Sequence, residues 1–319
     1  KDFYKDRVYL KSINEKILLF LSGHLNRKFS LKNDIGYWRI ILYYWLSTYT
    51  AQQYYIWLSI NKLKNKGKYH IETLKNDSEI FRNKDYLHFS QKVNCHFYNF
   101  FVIKRIINYC NLKNIIFIKS KNIIENIKLK EKKNLINIKL LFFKYLDLIL
   151  SIISFKVNRI CFDSLIYPLK YFINLCFKLK IIPSKNINFF KNQKSINTKL
   201  YNTKKRNQNL LKITKNKHDK FYNYLLENIL IDLPMSYYES FESIRNQILN
   251  KSKNKKIIFS MHSILTNDLF KIYVAETKKI GSKLICVDHG GQIHKHRALF
   301  DHLNLICDEQ VHWNIRDKN

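Results

Sequence analysis

Histidines and glycines that follow short apolar runs are the residues of this 319-residue chain best suited to chemistry. The run Lys256-Ile257-Ile258-Phe259-Ser260 leads into Met261-His262-Ser263. The run Ser282-Lys283-Leu284-Ile285-Cys286-Val287 leads into Asp288-His289-Gly290-Gly291-Gln292. An imidazole at such a place can act as general base or donate to a phosphate near neutral pH. Two glycines in succession permit positive φ and let backbone N–H groups approach a ligand, which makes an anion nest. A plain tight turn with a half-buried histidine has the same residues, and the sequence leaves both readings open. Asp308, after Leu303-Asn304-Leu305-Ile306-Cys307, reads as a carboxylate at a third strand end, either facing the same cleft or capping a turn.

Other chemistries find less support. His294 and His296 would share one face of an extended segment, with His289 and His302 near them in sequence. No cysteine or fixed carboxylate joins them at a recognised ligand spacing, so no metal is expected. The chain has no Gly-x-Ser-x-Gly elbow, Walker loop or Gly-x-Gly-x-x-Gly fingerprint.

The elements that must position His262 and His289 are a strand, a helix and a strand. Residues 268–280 have helical spacing, with Asn267 or Asp268 as cap and Gly281 as stop. That order predicts a right-handed βαβ unit with parallel strands, with ligands bound beyond the carboxyl ends. If the strands are neighbours, His262 and His289 approach each other at one edge of a cleft.

Upstream, residues 5–26 and 37–63 read as helices, with Asn33 or Asp34 capping the second. Trp38, Ile41, Leu42, Trp45, Leu46 and Tyr49 form an aromatic face suited to core packing. Residues 96–109 are expected as a helix and 114–118 as a strand, while 61–92 are too polar to assign. Residues 131–155 and 159–179 read as two helices, the second kinked or opened by Pro168. Ser236 and Glu239 have capping-box spacing. The expected organisation is a helix-rich region with some strand over 1–183, a basic polar linker or loop over 184–220, and a Rossmann-like segment over 221–319.

Lysine and arginine number 57 against 24 acidic residues, a net charge of +33. The excess is mostly lysine spread along the chain beside abundant Asn, Ile, Tyr and Phe. That pattern speaks for biased composition more than for a nucleic-acid surface. An anionic membrane surface or a phosphorylated substrate is the sharper reading of the charge. The 6 cysteines form no Cys-x-x-Cys pair, so reduced thiols of a cytoplasmic protein are expected. The most apolar stretch, 140–182, is interrupted by charges and reads as buried helices or as an interfacial amphipathic helix. The chain starts at Lys1 within a helical pattern and stops at Asn319, so it is expected to be a fragment.

Two ordered blocks carry a resemblance. Leu25-Asn26, Ser30-Leu31, Tyr37-Trp38-Arg39-Ile40-Ile41 and Trp45-Leu46 make the first. Asn267-Asp268-Leu269-Phe270-Lys271, Ala275-Glu276, Gly281-Ser282-Lys283-Leu284, His289-Gly290-Gly291 and Asp308 make the second. Together they resemble a bacterial transferase family whose genes sit among surface-polysaccharide genes. The chain departs from it at Asp288, where the family has Gln, at Ile293-His294 in place of Tyr-Gly, and at Trp313-Asn314-Ile315 in place of Trp-Gly-Trp. The resemblance implies an α/β fold: a helical N-terminal part, then Rossmann-like βαβ units on a parallel sheet. That is one half of a glycosyltransferase-B-like architecture, the donor-binding half following Asn319.

The implied function moves a sugar or related group from a nucleotide-activated donor to a surface-polysaccharide or lipopolysaccharide acceptor. It needs no cofactor and no nucleic-acid partner, and it places the protein in the cytoplasm, peripheral to the inner membrane. The His-Gly turn also resembles that of polyol-phosphate transferases, whose histidine serves the acceptor hydroxyl. That likeness implies His289 as catalytic base, Gly290 and Gly291 as phosphate contacts, and His262 and Asp308 as further substrate-binding residues. The alternative is a non-catalytic basic protein on an anionic membrane surface or nucleic acid.

Overall fold

The computed structural model describes residues 3–64, 67–73, 82–119, 138–163, 168–184, 190, 196, 198–208, 219–251, 255–287 and 297–311. In chain order they form α1 (Phe3–Lys28), α2 (Ile35–Leu63), β1 (Tyr69–Thr73), α3 (Tyr86–Val93), α4 (His96–Cys110) and β2 (Ile115–Lys119). Next come α5 (Ile138–Val157), β3 (Ile160–Phe162), α6 (Leu169–Lys178), α7 (Thr203–Gln208), α8 (Lys220–Asp232) and α9 (Phe241–Lys251). The last elements are β4 (Ile257–Ser260), the single turn α10 (Ser263–Thr266), α11 (Asp268–Lys278), β5 (Lys283–Val287), α12 (Arg297–Ile306) and β6 (Glu309–Val311). The result is a mixed α/β protein with a helical N-terminal part and parallel strands. It divides into two compact units: Lys1–Ile17 with Trp45–Lys133 and Asn197–Glu239, and Leu18–Tyr44 with Asn134–Ile196 and Ser240–Asn319.

In the first unit, β2 falls where its β-branched run predicts, and it pairs in parallel with β1 from Tyr69↔Ile115 to Thr73↔Lys119. The polar composition of β1 hid it from sequence reasoning. Trp45 and Tyr49 of the aromatic face are fully buried. Below them a buried carboxylate organises the core. Asp232, at the end of α8, accepts two bonds from the Arg105 guanidinium, at 2.9 and 2.5 Å, and a third from the Tyr49 hydroxyl at 2.8 Å. Arg105 also donates to the Tyr224 hydroxyl at 3.3 Å, which donates to Gln53 at 2.7 Å. Burial, and then the Asp232 charge, push the Tyr49 hydroxyl well above its ordinary value, so it stays a donor.

Within the stretch 184–220, α7 carries Arg206, which is fully buried. Its guanidinium forks onto Glu239 at 2.8 and 2.5 Å and reaches the carbonyls of Leu230, Ile231 and Leu233. Those are orphan acceptors at the carboxyl end of α8, where a cation is favoured. The expected capping box at Ser236 and Glu239 is therefore corrected. Residues Met235–Tyr237 make a 3-10 turn, α9 begins at Phe241, and Glu239 is taken by Arg206.

In the second unit, β3-β4-β5-β6 form one parallel sheet in that order. Alternation assigns its faces. Ile160, Phe162, Phe259, Met261 and Val287 pack with Phe172 and Cys176 of α6. On the other face Phe155 of α5 meets Tyr273 of α11 at 5.5 Å, and Phe190 meets Tyr273 at 5.1 Å. Two sequence expectations are corrected here. Residues 160–162, read as helix, are β3, and the helix starts only after Pro168, because that short apolar run is stabilised by pairing with the distant β4. Residues 303–307, read as strand, lie in and just after α12. His302, Leu303 and Ile306 are its buried side, a helical spacing that a short apolar run conceals.

The α1–α2 turn rests on Asn26. Its side chain donates to the Asn33 carbonyl at 2.7 Å and accepts from the Asn33 amide at 3.3 Å and the Trp38 indole at 2.9 Å. Asp34 caps α2 by accepting from the Tyr37 amide at 2.8 Å.

Replacing Asp232 by Asn leaves the half-buried Arg105 guanidinium without the Asp232 charge. Urea denaturation is expected to show a loss of about 3–5 kcal/mol, most of it recovered in the double variant Arg105→Met/Asp232→Leu.

Candidate functional site at the carboxyl ends of the parallel strands

Because the four strands run one way, their carboxyl ends gather at one edge: Phe162 of β3, Ser260 of β4, Val287 of β5 and Val311 of β6. Ligands of open α/β sheets bind at this edge. Ser260 and Cys286 are register partners, so the chain leaves β4 and β5 side by side.

The β4 exit is built around Asp163, a fully buried residue directly after β3. Its amide donates to the Phe259 carbonyl at 3.1 Å. Its carboxylate accepts from the Ser260 hydroxyl at 2.6 Å and from the amides of Met261 (3.2 Å), His262 (3.4 Å) and Ser263 (2.9 Å). Burying a carboxylate is tolerable only with such donors. These bonds turn the backbone away from the strand at Met261 and bring His262 to the surface as the cap residue of α10. The His262 Nδ1 lies 3.0 Å from the Thr266 hydroxyl, one helical turn on, which fixes the ring on the rim. Asn267 then caps α11 by accepting from the Phe270 amide at 3.0 Å, so a helix amino end faces the same edge. Sequence reasoning overlooked Asp163. Its signal was a lone acid closing the run Ile160-Cys161-Phe162.

His289, Gly290 and Gly291 lie outside the described residues, as do His294 and His296. Asp308 is placed elsewhere than expected. It precedes β6 instead of ending a strand, and its carboxylate accepts from the Leu284 amide at 2.7 Å and the Lys278 ammonium at 2.8 Å. Leu284 lies near the start of β5, so Asp308 sits at the amino edge of the sheet, opposite His262. Burial raises its pKa, but the Lys278 and Leu284 hydrogen bonds outweigh this and hold it below the usual value. The structure thus keeps His262 at the candidate edge and does not bring Asp308 to it.

Residues of the two sequence blocks meet in this unit. The Tyr37 hydroxyl donates to Glu276 at 2.7 Å, and Arg245 pairs with the same carboxylate at 2.5 Å. Behind them His302 of α12 is 1% exposed and stacks on Tyr43 at 5.4 Å and Tyr44 at 6.0 Å. Neither ring nitrogen has a hydrogen-bond partner among the described residues. Burial, then the charges of Lys271 and Arg39, hold its pKa down to about 3.

A family model described as LIC12162 family transferase matches residues 1–313 of the chain. No curated protein and no solved structure matches it.

Asp163→Asn removes acceptors from a set of four donors. Destabilisation of about 1–3 kcal/mol is expected, with hydrogen exchange accelerating at the amides of Met261 to Ser263. A pH series tests the buried histidine. The unfolded chain protonates His302 near pH 6.5, whereas the folded protein resists until about 3. Its stabilising effect is therefore complete above 6.5 and shrinks as pH falls, at no more than about 1.4 kcal/mol per pH unit. His24 and His88, each lowered to about 4 chiefly by burial, add to the same slope. His302→Phe keeps the stacking and should flatten the acid limb of stability measured by denaturation; an unchanged limb would assign it to other groups.

Proposed function

The chain belongs to the LIC12162 family of transferases, and from that premise we propose that it is a glycosyltransferase-like enzyme. It moves a sugar or related group from a nucleotide-activated donor to a surface-polysaccharide or lipopolysaccharide acceptor, at the cytoplasmic side of the membrane. The observation that carries this reading is the carboxyl edge of the parallel sheet, where the β4 exit is fixed by Asp163 and presents His262 beside the β5 exit. Three successive amides at the β4 exit already donate to Asp163. Recognition of donor phosphate therefore falls to the β5 exit, to which Gly290 and Gly291 belong in sequence. His289 is the proposed base for the acceptor hydroxyl, and His262 lines the acceptor side. The electron pair freed by deprotonating that hydroxyl forms the new glycosidic bond, and the nucleotide departs with the pair of the broken sugar–phosphate bond. The reaction needs no separate cofactor, and the surplus of basic residues favours an anionic donor.

The test uses the full-length protein with a panel of UDP-, GDP- and CMP-linked sugars. A donor present at about 100 times its Kd should stabilise the protein by about 2.7 kcal/mol, seen as a raised melting temperature. His289→Ala should retain that shift while slowing transfer by about 10²–10⁴-fold. If no nucleotide sugar raises the melting temperature or releases nucleotide, the reading fails. If His289→Ala transfers at the wild-type rate, the role of His289 fails alone.

A further inference from the structure

Among its described side chains, helix α5 is arranged inside out. Ser151 and Ser154 face inward with no exposure, beside the nearly buried Phe155. The outward apolar residues are Tyr145 (60% exposed), Ile149 (52%), Ile152 (40%), Ile153 (44%) and Val157 (66%), with Lys156 exposed among them. At 3.6 residues per turn these five side chains fall within an arc of about 140°, opposite the serines. A water-facing stripe would have the reverse composition, and apolar strips of this kind mark interaction surfaces.

Exposed apolar residues also lie near its carboxyl end. Asn158 locks onto the chain after α6, donating to the Ile182 carbonyl at 2.9 Å and accepting from its amide at 3.0 Å. That junction brings the end of α5 to the end of α6, where Phe177 is 69% and Leu179 42% exposed. Lys156, Arg159, Lys170, Lys178 and Lys180 are exposed along the same segments. The acid described there, Asp163, is buried, so the exposed charges among the described side chains from Tyr145 to Ser184 are all basic.

Apolar side chains set among lysines suit one environment above others. A second copy of the chain would bring like charges together. An aqueous protein surface gives the isoleucines nothing to cover them. An anionic lipid surface takes both, since apolar side chains enter the headgroup region and each basic residue near it adds about fivefold to partitioning. No described helix is long and apolar enough to cross a membrane. We infer that the outer face of α5, with the carboxyl end of α6, is a docking surface for an anionic lipid bilayer on which the helix lies flat. This extends the proposed function by naming the surface that meets the membrane. It is carried by different residues and read without transfer, so either can fail alone.

The test is co-sedimentation of the full chain with vesicles of phosphatidylcholine alone and with admixed phosphatidylglycerol, at low and high salt. The net charge of +33 by itself attracts anionic vesicles, so the apolar variant is the deciding measurement. Binding is expected to anionic vesicles and to weaken with salt without vanishing, because the apolar contribution is unscreened. Ile149→Ser/Ile153→Ser/Val157→Ser and Lys156→Glu/Lys178→Glu/Lys180→Glu should each lower partitioning at least tenfold. All six positions are exposed, so thermal melting should stay at the wild-type value. Wild-type partitioning by the serine variant would overturn the inference. So would light scattering that shows a wild-type dimer which the serine variant loses, since the face would then pack on a second copy.

Discussion

The carboxylate of Asp163 is the constraint from which the candidate edge follows. A charge taken wholly out of water must be met by donors, and here the donors are a hydroxyl and three successive amides of the neighbouring strand's exit. That requirement ties β3 to β4, forces the backbone to turn at Met261, and leaves His262 at the rim. The β4 exit is in effect an anion nest filled by the protein's own side chain. The polarity of the turn thereby serves rigidity.

Residues of the two sequence blocks are also physically joined. Asn26 and Trp38 close the α1–α2 turn, and Phe241 packs on both Phe29 and Trp38. Tyr37 and Arg245 converge on Glu276 in the last turn of α11. Segments far apart in sequence therefore support the same helix that leads from β4 to β5. Buried cations recur at helix ends: Arg206 closes α8, and Lys255 donates to the carbonyls of Phe155 and Asn158 at the end of α5. In a chain so rich in lysine, buried positions such as these give basic residues structural work.

Much of the local structure was legible. The helical faces of α1 and α2, the strand near Ile115, the Asn267 cap and the Gly281 stop, with φ of +93°, all follow from spacing and turn chemistry. What stayed hidden has a common cause. β1 is polar, β3 is three residues long, and α12 begins among charges, so each is specified by long-range pairing or packing more than by its own pattern. Asp163 and Asp308 illustrate the limit for the site. Both are solitary acids near apolar runs, yet Asp163 follows β3 and lies at the carboxyl edge, while Asp308 follows a helix, precedes β6 and lies at the amino edge. The segment that begins at Asp288, where the strongest chemical signal sits, falls outside the described residues.

The adjacency of β3 and β4 has a consequence for how the chain acquires its fold. Ile160 pairs with Ile257, so the whole stretch between them, including the first unit's segment Asn197–Glu239, closes into one loop when the strands meet. Loop closure of that length costs entropy before any pairing rewards it. During synthesis β3 must wait for β4, at about 5–20 residues per second, with Phe162 and Cys161 unpaired in the interval. Asp163 waits with them in its solvated form, since its donors arrive only when the β4 exit is made. The buried carboxylate therefore reports arrival: it can leave water only when the sheet has closed correctly around it, which makes the site's anchor also a check on assembly.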